Sequence, residues 1–231
     1  MSEEAEAGAR AGARGETRTT EPTRLERASA RGVAESKATV PHLYASAEAE
    51  MSAWRDDLAR DALPRDAVVW AAARALRQHP RLNAAYRDGR FEEYTRVNVG
   101  LAVPADAAFA VATIFDADTK TVAGIAAETA ALAARVSDGV VTQPELSGGT
   151  FTVFAPRGEI DSLTPSVYRG QAAALAAGRL AERPVARNGA LVAAPTLRLT
   201  LACDGRIISP DQAAAFLGSV GELLRSPEAS G

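Results

Sequence analysis

Cysteine, histidine, lysine and aromatic side chains are all scarce in this chain of 231 residues. Cys203 is the only cysteine, which excludes a disulfide framework and a thiolate metal cluster. The two histidines, His42 and His79, stand far apart and in no metal-ligand spacing, so no metal is expected. Lysine occurs only at Lys37 and Lys120. A formal net charge of −3 lacks the basic footprint of a nucleic-acid binder. No apolar run is long enough to span a bilayer, and the first residues lack the apolar core of a secretory signal. A soluble cytoplasmic protein without membrane or nucleic-acid partners is the expectation.

What is present is alanine, valine and leucine in periodic runs. The length suits one sizeable domain, and many small side chains imply a finely packed interior. Residues 1–22 have no apolar periodicity and read as a disordered tail, 23–226 as one domain, and 227–231 as a polar tail. Helical patterning is expected over Arg24–Ser36, Ser52–Asp61, Asp66–Gln78 with Asp66 as N-cap, Thr121–Val136 and Asp211–Arg225. Strands are expected within Thr39–Ala49 after Pro41, and over Tyr94–Val103, Phe109–Phe115, Thr150–Phe154, Ala172–Ala177, Leu180–Ala186 and Leu191–Cys203. A turn is expected at Asp118, a chain break at Gly148-Gly149 and a hairpin turn at Asn188-Gly189. That order fits an α/β two-layer sandwich with a mixed sheet. No internal repeat is present. Gly148-Gly149 is no phosphate loop, because a strand follows it instead of a helix.

Several segments together carry a family resemblance. Glu35-Ser36-Lys37-Ala38-Thr39-Val40-Pro41-His42, His79-Pro80-Arg81-Leu82-Asn83-Ala84, and Gly148-Gly149-Thr150-Phe151-Thr152-Val153 occur in that order. Asp204-Gly205-Arg206-Ile207-Ile208-Ser209-Pro210 then joins an apolar strand to an amphipathic helix. The chain resembles the catalytic domain of the 2-oxoacid dehydrogenase acyltransferases, which has the chloramphenicol acetyltransferase fold. That family writes the last turn Asp-His-Arg-Val-x-Asp-Gly.

The resemblance implies a homotrimer, or a larger cage built from trimers, with active sites between subunits. It implies no covalently bound cofactor and coenzyme A, or a carrier-protein pantetheine, as thioester co-substrate. In the family, the histidine takes the thiol proton and a neighbouring subunit's serine hydrogen-bonds the oxyanion. The aspartate holds the loop by pairing with an arginine that corresponds to Arg31. Here Gly205 replaces the histidine, Ser209 the aspartate and Phe154 the serine, and the loop after Phe154 is about one residue short. A positioned base is worth roughly 10²–10⁴ in rate, and an oxyanion donor about 10²–10³.

Two readings of that loss stand side by side. One is a remodelled acyltransferase that moves an acyl group from a pantetheine thioester to a small acceptor, in specialised metabolism and outside a dehydrogenase complex. The other is a non-catalytic trimeric scaffold or partner subunit that associates with an active paralogue, whereas an acyl carrier protein would be a partner under the first reading. A third possibility is elimination or cyclisation on a thioester ligand. The pocket candidates are Arg31, His42, Tyr168, Cys203, Asp204 and Arg206. Each has a plainer reading. Cys203 would be a small buried hydrophobe, Asp204 a turn cap or the partner of an arginine, Ser209 a helix N-cap and His42 a structural histidine. Tyr168 and its neighbour Arg169 would lie in a solvated loop.

Overall fold

The structure, a computed structural model, describes residue 15 and residues 17–54, 64–105 and 108–226. The expectations for the two tails and for most of Ser52–Asp61 fall largely outside these residues.

Helix α1 (Arg24–Thr39) opens on a capping box: Thr23 Oγ1 accepts from the Glu26 amide, and Glu26 accepts from the Thr23 amide. It runs one turn past the expected end at Ser36, because Thr39 Oγ1 donates to the Glu35 carbonyl and Val40 N–H to Ser36. Pro41 stops it by forcing Val40 into extended backbone. Strand β1 (His42–Glu50) begins directly after Pro41, as expected, and ends one residue past Ala49. A 3-10 helix covers Ser52–Trp54. Helix α2 (Pro64–Gln78) starts two residues before Asp66, which lies within the first turn and is not the N-cap.

A small hairpin follows, β2 (Ala84–Arg87) and β3 (Arg90–Glu93), turning at Asp88-Gly89 where both φ angles are positive. Strand β4 (Val99–Ala105) starts well after Tyr94, because Tyr94 N–H bonds back to Asn83 and ties that stretch to the hairpin instead. Strand β5 (Ala108–Ile114), a 3-10 helix at Ala117–Thr119, helix α3 (Val122–Ser137) and the short helix α4 (Gln143–Ser147) come next. Then follow β6 (Phe151–Phe154), β7 (Ala173–Ala177), β8 (Ala181–Arg187), β9 (Ala190–Asp204) and helix α5 (Pro210–Arg225).

The main sheet runs β1-β9-β7-β6-β4-β5, with β8 pairing the first half of β9. Strand β6 is parallel to β4 and β7; the remaining pairs are antiparallel. The strand period of two gives the sheet two distinct faces. Leu197, Leu199, Leu201 and Cys203 of β9, Phe151 and Val153 of β6 and Val99, Leu101 and Val103 of β4 join one core with α2, α3 and α5. Each large aliphatic side chain buried there contributes about 1.5–3 kcal/mol.

The alternate residues form the other face: His42, Tyr44, Asp204, Ala202, Ala174, Thr152, Phe154, Phe109 and Val111. A smaller cluster of Val40, Val167, Ala174 and Ala202, with Phe154 against it, packs on that side. Helix α1 and the segment from Ala155 to Gln171 lie there. The expected α/β sandwich with a mixed sheet is the observed architecture.

Candidate functional site

The segment from Val167 to Gln171 is pinned over this second face of the sheet. Val167 N–H donates to His42 Nε2 at 3.2 Å, and Gln171 N–H donates to the Tyr168 carbonyl. Gln171 Nε2 donates to the Gly149 carbonyl, and its Oε1 accepts from Thr152 Oγ1 at 2.8 Å. Tyr94 OH donates to the Gly170 carbonyl at 2.8 Å. Gly32 lets α1 approach closely, since a Cβ there would stand 3.1 Å from Tyr168 Cε1.

Three hollows share this segment. The first, about 400 Å³, lies between α1, β5 and α4 and is lined by Leu25, Phe109, Val111, Leu146, Tyr168 and Gln171 among others. The second, about 360 Å³, is lined by Glu35, Tyr86, Tyr168, Arg169, Asp204 and Arg206. The third, about 690 Å³, is lined by Tyr86, Arg87, Asp88, Arg169, Gly170 and Arg206. Tyr168, Arg169 and Gln171 belong to the first two; Tyr86, Arg169, Gly170 and Arg206 to the last two. A trough therefore runs from an apolar end to an arginine-lined end.

Asp204 is buried, and its carboxylate accepts both the Arg206 amide, at 3.0 Å, and the Arg206 guanidinium, at 2.6–3.2 Å. That pair holds the Arg206 Cζ 4.5 Å from the centre of the Tyr86 ring and raises the arginine's pKa. Arg169 is exposed and meets Glu35 at 3.4 Å. Burial pushes the Tyr168 phenol up to about 12. Its ring stacks on Phe154 with centroids 6.3 Å apart, and Phe154 meets Phe109 edge-on at 5.8 Å.

Of the residues singled out in the sequence, Tyr168, Asp204 and Arg206 are brought together on the trough. His42, Cys203 and Arg31 line none of the three hollows. Both ring nitrogens of His42 are engaged: Nδ1–H donates to the Val40 carbonyl at 2.7 Å while Nε2 accepts from Val167. It offers no free base. Cys203 points into the helix-side core, and burial, aided by Asp204, pushes its thiol up to about 12. A thiolate nucleophile is thereby disfavoured. Arg31 is exposed on α1 and makes no ion pair among the described residues.

Ser209 caps α5, accepting from Gln212 N–H while Gln212 Oε1 accepts from Ser209 N–H. Gly205 N–H bonds the Pro41 carbonyl, and a Cβ at 205 would stand 3.1 Å from that oxygen. Phe109, Tyr86 and Arg87 were not singled out in the sequence. Only the Asp88-Gly89 turn could have signalled that Tyr86 and Arg87 sit on a hairpin. Among the described residues no group of three or more His, Cys, Asp and Glu could hold a metal ion, and no helix is long and apolar enough to cross a membrane.

With this geometry in place, the likenesses are specific. The family model for the 2-oxoacid dehydrogenases acyltransferase catalytic domain matches residues 14–230. The chain is 30% identical over 219 residues to the lipoamide acyltransferase component of the Bacillus subtilis branched-chain alpha-keto acid dehydrogenase complex. That match covers 88% of this chain and 51% of the relative, so the chain spans about half the length of the curated relative. The dihydrolipoamide acetyltransferase of Azotobacter vinelandii superposes with a TM-score of 0.86 at 25% identity, covering 94% of both chains. That enzyme's structural study concerns the catalytic roles of a serine, a histidine and an asparagine. A chloramphenicol acetyltransferase shares the fold, with a TM-score of 0.54 at 16% identity over 80% of this chain and 89% of that one.

Proposed function

The chain belongs to the 2-oxoacid dehydrogenase acyltransferase catalytic-domain family, and on that premise we propose a remodelled acyltransferase working in specialised metabolism. Its substrates are a pantetheine thioester, on coenzyme A or a carrier protein, and a small acceptor. The carrying observation is the trough along Tyr168–Gln171, which joins an arginine-lined hollow to an apolar cavity. A phosphorylated pantetheine needs cations at one end and room for its acyl group at the other. Arg87, Arg169 and Arg206 supply the first, each from a pair with a carboxylate (Glu92, Glu35 and Asp204), so that a phosphate adds to or replaces these contacts. Guanidinium groups suit phosphate through charge and paired donors.

In the proposed step, the acceptor's nucleophilic atom bonds to the thioester carbonyl carbon and the carbon–sulfur bond breaks. The sulfur departs as thiol with the proton that the acceptor gives up. Gly205 and Phe154 offer neither a proton acceptor nor an oxyanion donor. Holding two reactants in line can supply roughly 7–11 kcal/mol. The missing base and oxyanion donor together are worth at most about 5–9 kcal/mol. Proximity is of the same order, and a thioester is already activated.

The test is calorimetric titration of coenzyme A into the wild type and Arg169→Ala. Saturable binding is expected, weakened about 5-fold or more in the variant and further by salt. No binding at millimolar coenzyme A would reject the proposal.

One observation favours a second reading, a non-catalytic partner subunit of a trimer. Gly205, Phe154 and Ser209 all hold groups unable to run the family's proton transfer, and His42 is fully engaged. That reading expects co-purification with an active paralogue.

A further inference from the structure

Phe154 occupies the family's serine position, yet its ring is the prop of a small aromatic assembly. It stands between Phe109, edge-on at 5.8 Å and 74°, and Tyr168, stacked at 6.3 Å and 19°. Both of those rings line the 400 Å³ cavity; Phe154 supports them from outside it. The rest of the wall is mainly apolar, with Leu25, Ala28, Val111 and Leu146.

The polar side chains at the cavity are largely partnered: Gln171 by Gly149 and Thr152, and Arg169 by Glu35. The Tyr168 hydroxyl, beside the small hydroxyls of Ser29 and Thr113, is left for a ligand, and the phenol stays protonated up to about pH 12. The site thus has two ring walls, a neutral donor and no unpaired charge. A volume near 400 Å³ is ample for one or two fused rings, since a cavity of about 150 Å³ holds benzene.

We infer that this cavity binds a neutral planar ring bearing a hydrogen-bond acceptor, and that the ring at position 154 sets its shape. Edge and face contacts between aromatic groups favour such a guest over an aliphatic chain of equal area. That the ring is the acyl group or the acceptor rests on the acyltransfer reading above. Ring binding itself does not.

The probe is 2-naphthol, titrated into the full chain by calorimetry with 1-decanol as the aliphatic control. Saturable binding is expected, at least 10-fold tighter than for decanol. Phe154→Ser should weaken it about 10-fold or more, with Phe154→Leu in between, and Tyr168→Phe several-fold. Ala28→Trp, at an exposed position of α1 on the rim, should block the cavity and abolish binding while leaving the circular dichroism spectrum unchanged. Coenzyme A is titrated in parallel. Naphthol binding without coenzyme A binding would sink the acyltransfer reading and keep this one, and the reverse result would overturn this one alone. Decanol binding as tightly as naphthol, or Phe154→Ser and Ala28→Trp binding like the wild type, would also overturn it.

Discussion

At His42 the imidazole lies between α1, β1 and the returning segment: Nδ1–H donates to Val40 and Nε2 accepts from Val167. Burial lowers its pKa below the ordinary 6.5, with Lys37 pushing the same way while the Val40 bond and Asp204 oppose. His79, beside Ser219 and edge-on to Phe216, is also lowered by burial. The consequence for stability has a definite sign. As pH falls through about 6.5 the unfolded chain takes up protons that the folded chain still refuses. Stability is therefore full above that pH and declines as pH falls toward the folded-state values. The exposed carboxylates of Asp116 and Asp161, held low by Arg96 and Arg179, add a loss only at more acid pH. The urea midpoint is expected to be lower at pH 5 than at pH 7.5. His42→Gln, which keeps an acceptor for the Val167 amide, should flatten the profile. A midpoint unchanged across that window would refute the assignment of neutral, half-buried imidazoles.

Among the elements, the segment between β6 and β7 depends on one close approach. A Cβ at Gly178 would lie 2.0 Å from the Asp161 carbonyl oxygen, while Arg179 N–H bonds Ile160 and its guanidinium pairs with Asp161. Gly178→Ala must push that strand of chain off β8. A loss of about 1–3 kcal/mol is expected from chemical denaturation, and a change below about 0.5 kcal/mol would show the approach to be unimportant. What the sequence made legible at this scale follows the same physics. The helices over 122–137 and 210–225 and the Asn188-Gly189 hairpin turn carried strong local signals and fall close to where the periodicity places them. The β2–β3 hairpin was passed over although Asp88-Gly89 is the same turn chemistry, because its four-residue strands are too short to show alternation. Helix α4 has only five residues, with no buried side chain to give it a period. For the site, the turn at Asp204 and the ring at Tyr168 were legible from the family pattern. The contact of Phe109 with Phe154 joins strands distant in sequence, and no local pattern announces it.

For the whole molecule, the register of the sheet separates the two family positions. Phe154 pairs with Ala176, whereas Asp204 N–H reaches the Ala172 carbonyl, four residues away along β7. At about 3.3 Å per residue that is roughly 13 Å of backbone, so a histidine at 205 and a serine at 154 would sit at opposite ends of the same strands. If the proposed threefold assembly forms, each chain would lend one end to a cleft completed by its neighbour. This yields a complementation experiment. One chain carries Gly205→His and Ser209→Asp, a second carries only Phe154→Ser, and the two are co-expressed. Ser209→Asp keeps an N-capping side chain on α5. Gly205→His has to move the Pro41 carbonyl by a few tenths of an ångström, because its Cβ would start 3.1 Å from that oxygen. In a random mixture about a quarter of interfaces join a histidine chain to a serine chain in the right order. Acetyl transfer from acetyl-coenzyme A to dihydrolipoamide should then exceed the sum of the two chains made separately. If only the triple variant in a single chain gains activity, and the mixture gains none, the cleft lies within one subunit and the threefold arrangement fails.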